Sequence, residues 1–391
     1  MTATLIRGAS LVTGGQPPRR ASVLIAGGRI RSVGGRLEGA ARRAGASRVD
    51  LDGGWIAPGL VDLHTHGAVG VDFVTAGREE LHRAAGHFAA HGVTGMLLSL
   101  YPEPPADMVR TLERLSSLVL AGAGRGIPFG FHLEGPYLSP AKPGALPGRH
   151  FRTYDRAETD ALLRAGRGLV RTMTLAPELP GGHALVKHLV RKGVVPSFAH
   201  SAAGYDETRK AIAVGVRHAT HLFNAMNGIH HRAPGPVTAL LEDPRVIVEL
   251  IADGHHVQVP LLRMVHELKD RRSVTLVSDS VAPCGLPPGR YSFAGAPVDL
   301  RDGRVTLPDG TLAGSALTLD RAVALHVKEL GFPVEEAILL ASANPARLVG
   351  EKRRGEIRPG FRADLVHLDE RLRPRRTWVV GELAWPERPE G

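Results

Sequence analysis

Six side chains able to bind a metal or move a proton stand at the polar ends of apolar runs. His64 and His66 follow Leu60-Val61-Asp62-Leu63, Glu134 closes residues 129–134, His200 closes 194–200, His221 closes 216–221, and Asp279 follows Thr275-Leu276-Val277-Ser278. Together they offer imidazole nitrogens and carboxylate oxygens with no thiolate, a mixture used by zinc, iron and manganese sites. A catalytic centre of this kind takes about three protein ligands and keeps one position open for water. Each residue also has an ordinary reading. The chain carries 19 histidines, and any one of them can serve at the surface or in the core. His64 and His66, two apart in a strand, face the same side with or without a metal. Glu134 and Asp279 resist that reading, because a buried carboxylate without a partner is costly. All six at run ends favour one shared site.

The runs themselves imply the scaffold. Between residues 58 and 349, eight short apolar runs (60–64, 93–99, 129–134, 169–175, 194–200, 216–221, 246–252 and 274–279) alternate with helix-like stretches such as 78–91, 155–165, 205–214 and 316–330. That rhythm predicts an α/β fold, a (β/α)8 TIM-type barrel rather than a doubly wound sheet. No GxGxxG or GxxxxGK[ST] phosphate loop interrupts it. In such a barrel the carboxyl ends of the strands form the active face, where all six residues fall. Residues 1–57 and 350–391 read differently, as short β-prone runs broken by turns such as Gly27-Gly28 and Pro359-Gly360, with strands expected at 355–357, 363–366, 377–380 and 381–383. They predict one small β-sandwich domain built from both termini, beside a catalytic barrel over 58–349.

Composition narrows the function further. At 43% hydrophobic and 23% charged residues, the 391-residue chain has the make-up of an ordinary globular protein. The net charge of +10 comes mostly from scattered arginines, without a Lys/Arg block or a basic helix interleaved with aromatics, which are 5%. Nucleic-acid binding is therefore not expected. No window supplies the ~18 apolar residues of a membrane span, and residues 1–8 read as a strand rather than a leader, so a cytoplasmic protein is expected. The one cysteine, Cys284, cannot form an internal disulfide, which fits a reducing compartment.

At the level of motifs the chain resembles a known family. His64-Thr65-His66 within residues 58–66 resembles the first-strand motif of the amidohydrolase superfamily. His132-Leu133-Glu134-Gly135-Pro136, His221-Leu222-Phe223-Asn224-Ala225-Met226, Ala252-Asp253-Gly254-His255-His256 and Val277-Ser278-Asp279 are similar to the N-acetylglucosamine-6-phosphate deacetylases in particular. The similarity covers essentially the whole chain. It implies deacetylation of an amino sugar phosphate and a divalent metal ion, zinc ahead of iron or another ion, one or two per subunit. Glu134, His200 and His221 would hold one ion, His64 and His66 a second, and Asp279 would be the catalytic acid and base. Asn224 and the backbone at Ala225 would bind the substrate phosphate, His256 would hydrogen-bond the substrate, and Ala145 and the loop at Leu312 would line the sugar pocket. Arg232 would reach the substrate phosphate of a neighbouring subunit, which implies a homodimer.

One position departs from the family pattern. Where the family carries a histidine near the reacting amide, the run Lys142-Pro143-Gly144-Ala145-Leu146 ends in leucine. Leucine donates no proton and stabilises no oxyanion, a loss worth about 2.7–4 kcal/mol for one donor. Either another group such as His150 substitutes, or the chain is a paralogue acting on a different N-acyl amino sugar. Two rivals carry less. Dihydroorotase- or dipeptidase-type enzymes bridge metals with a carboxylated lysine, where this chain offers Glu134. An inactive scaffold would have lost its ligands or its base, and neither is lost here.

Overall fold

The computed structural model describes residues 3–385. Its centre is an eight-stranded parallel sheet of β1 (Leu60–Asp62), β2 (Val93–Leu100), β3 (Pro128–Glu134), β4 (Val170–Leu175), β5 (Val195–Phe198), β6 (His218–Ala219), β7 (Ile247–Ile251) and β8 (Val274–Val277), paired in chain order. Past the strand ends, the Thr65–Ser280 bridge and the Asp279 N–H donating to the His64 carbonyl (2.8 Å) bring the first strand against the last. The sheet is thus a nearly closed TIM-type barrel. β2 and β8 are buried along their whole length, which is why such strands read as unbroken apolar runs rather than alternations.

A helix follows each strand: α1 (Arg78–Ala90), α2 (Pro105–Leu120), α3 (Arg156–Ala165), α4 (Gly182–Arg191), α5 (Tyr205–Val214), α6 (Gly235–Glu242), α7 (Val259–Leu268) and α8 (Leu319–Lys328). Local chemistry sets their starts. Asp155 caps α3 by accepting from the Glu158 N–H (2.8 Å), Glu80 reaches back to the Gly77 N–H ahead of α1 (2.6 Å), and Pro105 opens α2 with a pre-set φ. The βα loops vary in length, from residues 101–104 after β2 to residues 135–155 after β3.

Two further regions matter. Both termini contribute to a pair of sheets beside the barrel, one of Thr4–Arg7, Ser22–Ala26, Arg29–Gly34 and Ser47–Asp50, the other carrying Ser10–Thr13, Trp55–Pro58, Leu365–Leu368 and Pro374–Val379. Ile6, Leu11, Val23, Ile25 and Ile56 meet Ile357, Leu365 and Trp378 in their shared core. Residues 355–357, expected as a strand, form none; Ile357 packs into that core from a loop. Residues 1–2 and 386–391, assigned by sequence to the same small domain, lie outside the described residues. Between β8 and α8 the chain inserts a four-stranded antiparallel sheet (Gly289–Phe293, Ala296–Arg301, Arg304–Thr306, Leu312–Ser315). Leu312–Ser315, expected as a loop, is thus a strand, bridged through Ser315 to Ser280 at the barrel mouth. No helix among the described residues is long and apolar enough to cross a membrane.

Candidate metal centre and active site

The strand ends bring the six predicted residues into one buried cluster. Glu134 ends β3, His200 follows β5, His221 follows β6, His64 and His66 follow β1, and Asp279 follows β8. Their donor atoms form two groups, Glu134 with His200 and His221, and His64 with His66 and Asp279. Glu134 joins them: Oε1 lies 3.0 Å from His221 Nε2, 3.2 Å from His200 Nε2 and 3.5 Å from His64 Nε2, while Oε2 lies 3.0 Å from His66 Nε2. Asp279 Oδ1 stands 3.4 Å from His64 Nε2 and 3.6 Å from His66 Nε2. His200, His221 and Asp279 all have positive φ (47°, 31° and 49°), a rare conformation for non-glycine residues that clusters at functional sites.

Hydrogen bonds on the far side of two of the four rings, His200 and His64, decide what their near sides offer. His200 Nδ1 faces the Lys142 carbonyl at 2.9 Å, and an oxygen there accepts only a proton. The ring's Nε2 is turned toward Glu134 and toward His221 Nε2, 3.2 Å away. His64 Nδ1 faces Glu249 Oε2 at 3.2 Å, which likewise leaves Nε2 as an acceptor between Glu134, Asp279 and His66. Where both rings are neutral, electron pairs converge on electron pairs, an arrangement that needs positive charge among them, from a metal ion or a proton. The donor set, imidazole nitrogen and carboxylate oxygen without sulfur, suits zinc, iron or manganese. Titration behaviour reflects the same field. Burial works against the charge on His64, but Asp279 and Glu134 outweigh it and lift its pKa well above the ordinary histidine value. Burial would raise Glu134, but the His64 charge and the surrounding imidazole hydrogen bonds hold it well below the usual carboxylate range.

A cavity of about 240 Å³ opens over the cluster. Of the predicted residues, His66, Glu134, Ala145, His200, His221, Asn224, Ala225, His256, Asp279 and Leu312 line it. His64 lies fully buried behind them. Arg232 does not line it and is exposed in the loop between β6 and α6. Leu146 lines the cavity beside Phe293, whereas His150, the candidate substitute, does not. Cys284 is also outside it, and burial pushes its thiol up to about 12, which suits neither a nucleophile nor a ligand. His256 Nδ1 meets Asp253 Oδ2 at 2.7 Å, leaving Nε2 for the cavity. Along the loop after β6, positive φ recurs at His221, Phe223 and Ala225 (31°, 80° and 50°). Alternation with left-handed residues is the backbone pattern that turns N–H groups toward an anion.

Motif and run-end reasoning misses two buried carboxylates beneath the cluster. Glu249, in the middle of β7, accepts from His64 Nδ1 and from the His221 N–H (3.1 Å). Asp62 accepts from Ser278 Oγ (2.6 Å) and from the His64 N–H (3.3 Å), tying β1 to β8. Each carries a signal in the sequence, a charge inside an otherwise apolar run, the same anomaly that marks Glu134.

Known proteins share this architecture and much of this sequence. Residues 55–384 match the model of the Amidohydrolase family. The N-acetylgalactosamine-6-phosphate deacetylase of Escherichia coli O157:H7 is 36% identical over 86% of this chain and 90% of its own. The N-acetylglucosamine-6-phosphate deacetylase of Bos taurus is 35% identical over 88% of this chain and 87% of its own. In structure, a mutant N-acetyl-D-glucosamine-6-phosphate deacetylase from Mycobacterium smegmatis, solved with N-acetyl-D-glucosamine-6-phosphate, superposes with a TM-score of 0.91 at 36% identity, covering 98% of this chain and 100% of that one. The chain belongs to the amidohydrolase family, in its N-acetylglucosamine-6-phosphate deacetylase group.

Proposed function

We propose that the protein hydrolyses the N-acetyl amide of an amino sugar phosphate, converting N-acetylglucosamine-6-phosphate and water to glucosamine-6-phosphate and acetate. The observation that carries the reading is the convergence of six imidazole and carboxylate side chains beneath a cavity that Asn224 and Ala225, from the loop with recurring positive φ, also line. Glu134, His200 and His221 would hold a divalent ion, zinc ahead of iron or another ion, and His64 and His66 a second. The ion supplies a lowered water pKa and a polarised amide carbonyl. Asp279, on the rim of the donors, takes the proton from the attacking water and returns it to the amine nitrogen as the C–N bond breaks. His256 Nε2 hydrogen-bonds the sugar, Ala145 and Leu312 bound its pocket, and Asn224 with the backbone at Ala225 holds the phosphate. Arg232, exposed in this chain, would reach the phosphate in a second copy and make the enzyme a homodimer, with an arginine fork suited to phosphate. One buried thiol fits a reducing, cytoplasmic setting.

The test is incubation of the metal-replete protein with N-acetylglucosamine-6-phosphate, following acetate and free amine, with the galactosamine epimer in parallel. Release of both products at a catalytic rate is expected. No release from either epimer would overturn the reading, and turnover of the galactosamine ester alone would change the sugar. Arg232→Ala should raise KM more than it lowers kcat, and sedimentation should show a dimer.

A further inference from the structure

Glu249 stands in β7 between the fully buried Val248 and Leu250, with only 1% of its surface exposed. Its Oε2 accepts from the ring of His64, in one ligand group, and from the backbone N–H of His221, in the other. The second contact falls on a residue with φ of 31°, where surrounding bonds must hold the backbone in place. Oε1 faces His218 Nε2 at 3.3 Å. A carboxylate behind a metal-binding imidazole fixes which nitrogen carries the proton, aims the ring and raises its basicity.

We infer that Glu249 is a positioning residue for metal binding: it holds His64 with Nε2 turned toward Glu134, Asp279 and His66 and fixes the His221 backbone, so that one side chain sets the geometry of both ligand groups. This rests on the metal-hydrolase reading above. It differs from a purely structural role, in which Glu249 would only satisfy His218 inside the barrel.

The experiment uses the zinc-loaded full chain and follows zinc release to increasing EDTA, with the melting midpoint of the metal-stripped protein measured alongside. Glu249→Gln should release zinc 10–100-fold more readily than the native protein, the range typical of lost outer-shell partners. Its metal-free midpoint should stay close to native, and the cobalt-substituted form should show a shifted visible spectrum. In a His64→Gln background, adding Glu249→Gln should weaken zinc less than it does alone, because the shared contact is already gone. Native-like zinc release, or weaker binding that merely tracks a fall in the metal-free midpoint, would overturn the inference. If Glu249→Gln does not fold, Glu249→Asp keeps the charge but shortens the reach; native-like release from it overturns the inference equally. A native protein that binds no zinc, iron or manganese removes the metal reading itself, and the inference with it.

Discussion

Two groups of buried histidines in this barrel look alike in distance and differ in everything else. In the candidate centre, His200 and His221 approach with Nε2 atoms 3.2 Å apart, and His64 and His66 with 3.3 Å. On the outer wall, His266 of α7 and His326 of α8 approach to 3.0 Å. There, His326 Nδ1 donates to the Ala322 carbonyl (2.9 Å), so its Nε2 accepts the proton of His266 Nε2, and only the lone pair of His266 Nδ1 is left without a hydrogen-bond partner. Phe332 packs edge-on to both rings. Burial pushes His266 down to about 3 and His326 to about 4, so both stay neutral. In the centre, carboxylates converge on the same nitrogens and outside acceptors claim Nδ1 of His64 and His200, so positive charge is needed there that the outer pair does without. Close imidazoles do not make a metal site. What sets the candidate centre apart is the carboxylates facing the inner nitrogens of all four rings, with proton acceptors on the outer nitrogens of His64 and His200.

The sharpest way to break the contrast is Glu134→Gln, which removes the anion that touches both ligand groups. Turnover should fall below about one-thousandth of native, beyond the 10–100-fold loss of an outer-shell partner, and elemental analysis should find less than one ion per subunit. Asp279→Asn should lower kcat by about 10²–10⁴, the usual worth of a general acid–base group, while at least one ion is retained, separating proton transfer from metal binding. Leu146→His adds a histidine to the same cavity without a new carboxylate. It should change turnover of the acetylated sugar by up to about 10²–10³ and leave metal content unchanged; extra metal would mean that an imidazole without a new carboxylate can recruit an ion here.

The smallest effect belongs to the outer pair. Both folded-state pKa values lie below the ordinary 6.5, so on acidification the unfolded chain takes up protons that the folded chain refuses. Stability is therefore full above pH 6.5 and declines as pH falls toward about 3, by up to about 1.4 kcal/mol per pH unit for each group. His266→Gln, which still offers a donor to His326, should remove part of that slope in thermal melts of the protein between pH 6.5 and 4. Its metal content and turnover should remain native.

The same contrast separates what the residue letters reveal from what they hide. His266 and His326 belong to no motif and end no apolar run, while the residues of the candidate centre announce themselves by standing where apolar runs stop. Asn224 and Ala225 are legible only through the motif around them, and the left-handed conformation of Phe223 and Ala225 appears in no residue letter. The sheet at residues 289–315 escapes pattern reading because its strands are half-exposed and mixed in character, with residues such as Arg290, Asp299 and Arg304 among them. Glu249 carries a signal, a charge inside an apolar strand, but its partners His64 and His221 are 185 and 28 residues away.

By itself, the sequence determined the barrel, because eight buried parallel strands must be near-continuously apolar and their helices amphipathic, and it determined which residues stand at the active face. The tertiary structure alone decided the proton positions. Which imidazole nitrogen is free depends on the carbonyl of Lys142 and the carboxylate of Glu249, brought in from other strands and loops. Tertiary packing also excluded His150 from the cavity and left Leu146 lining it. Periodicity is a local property of the chain, whereas the pairing of one lone pair with one cation depends on atoms that only folding brings within about 3 Å.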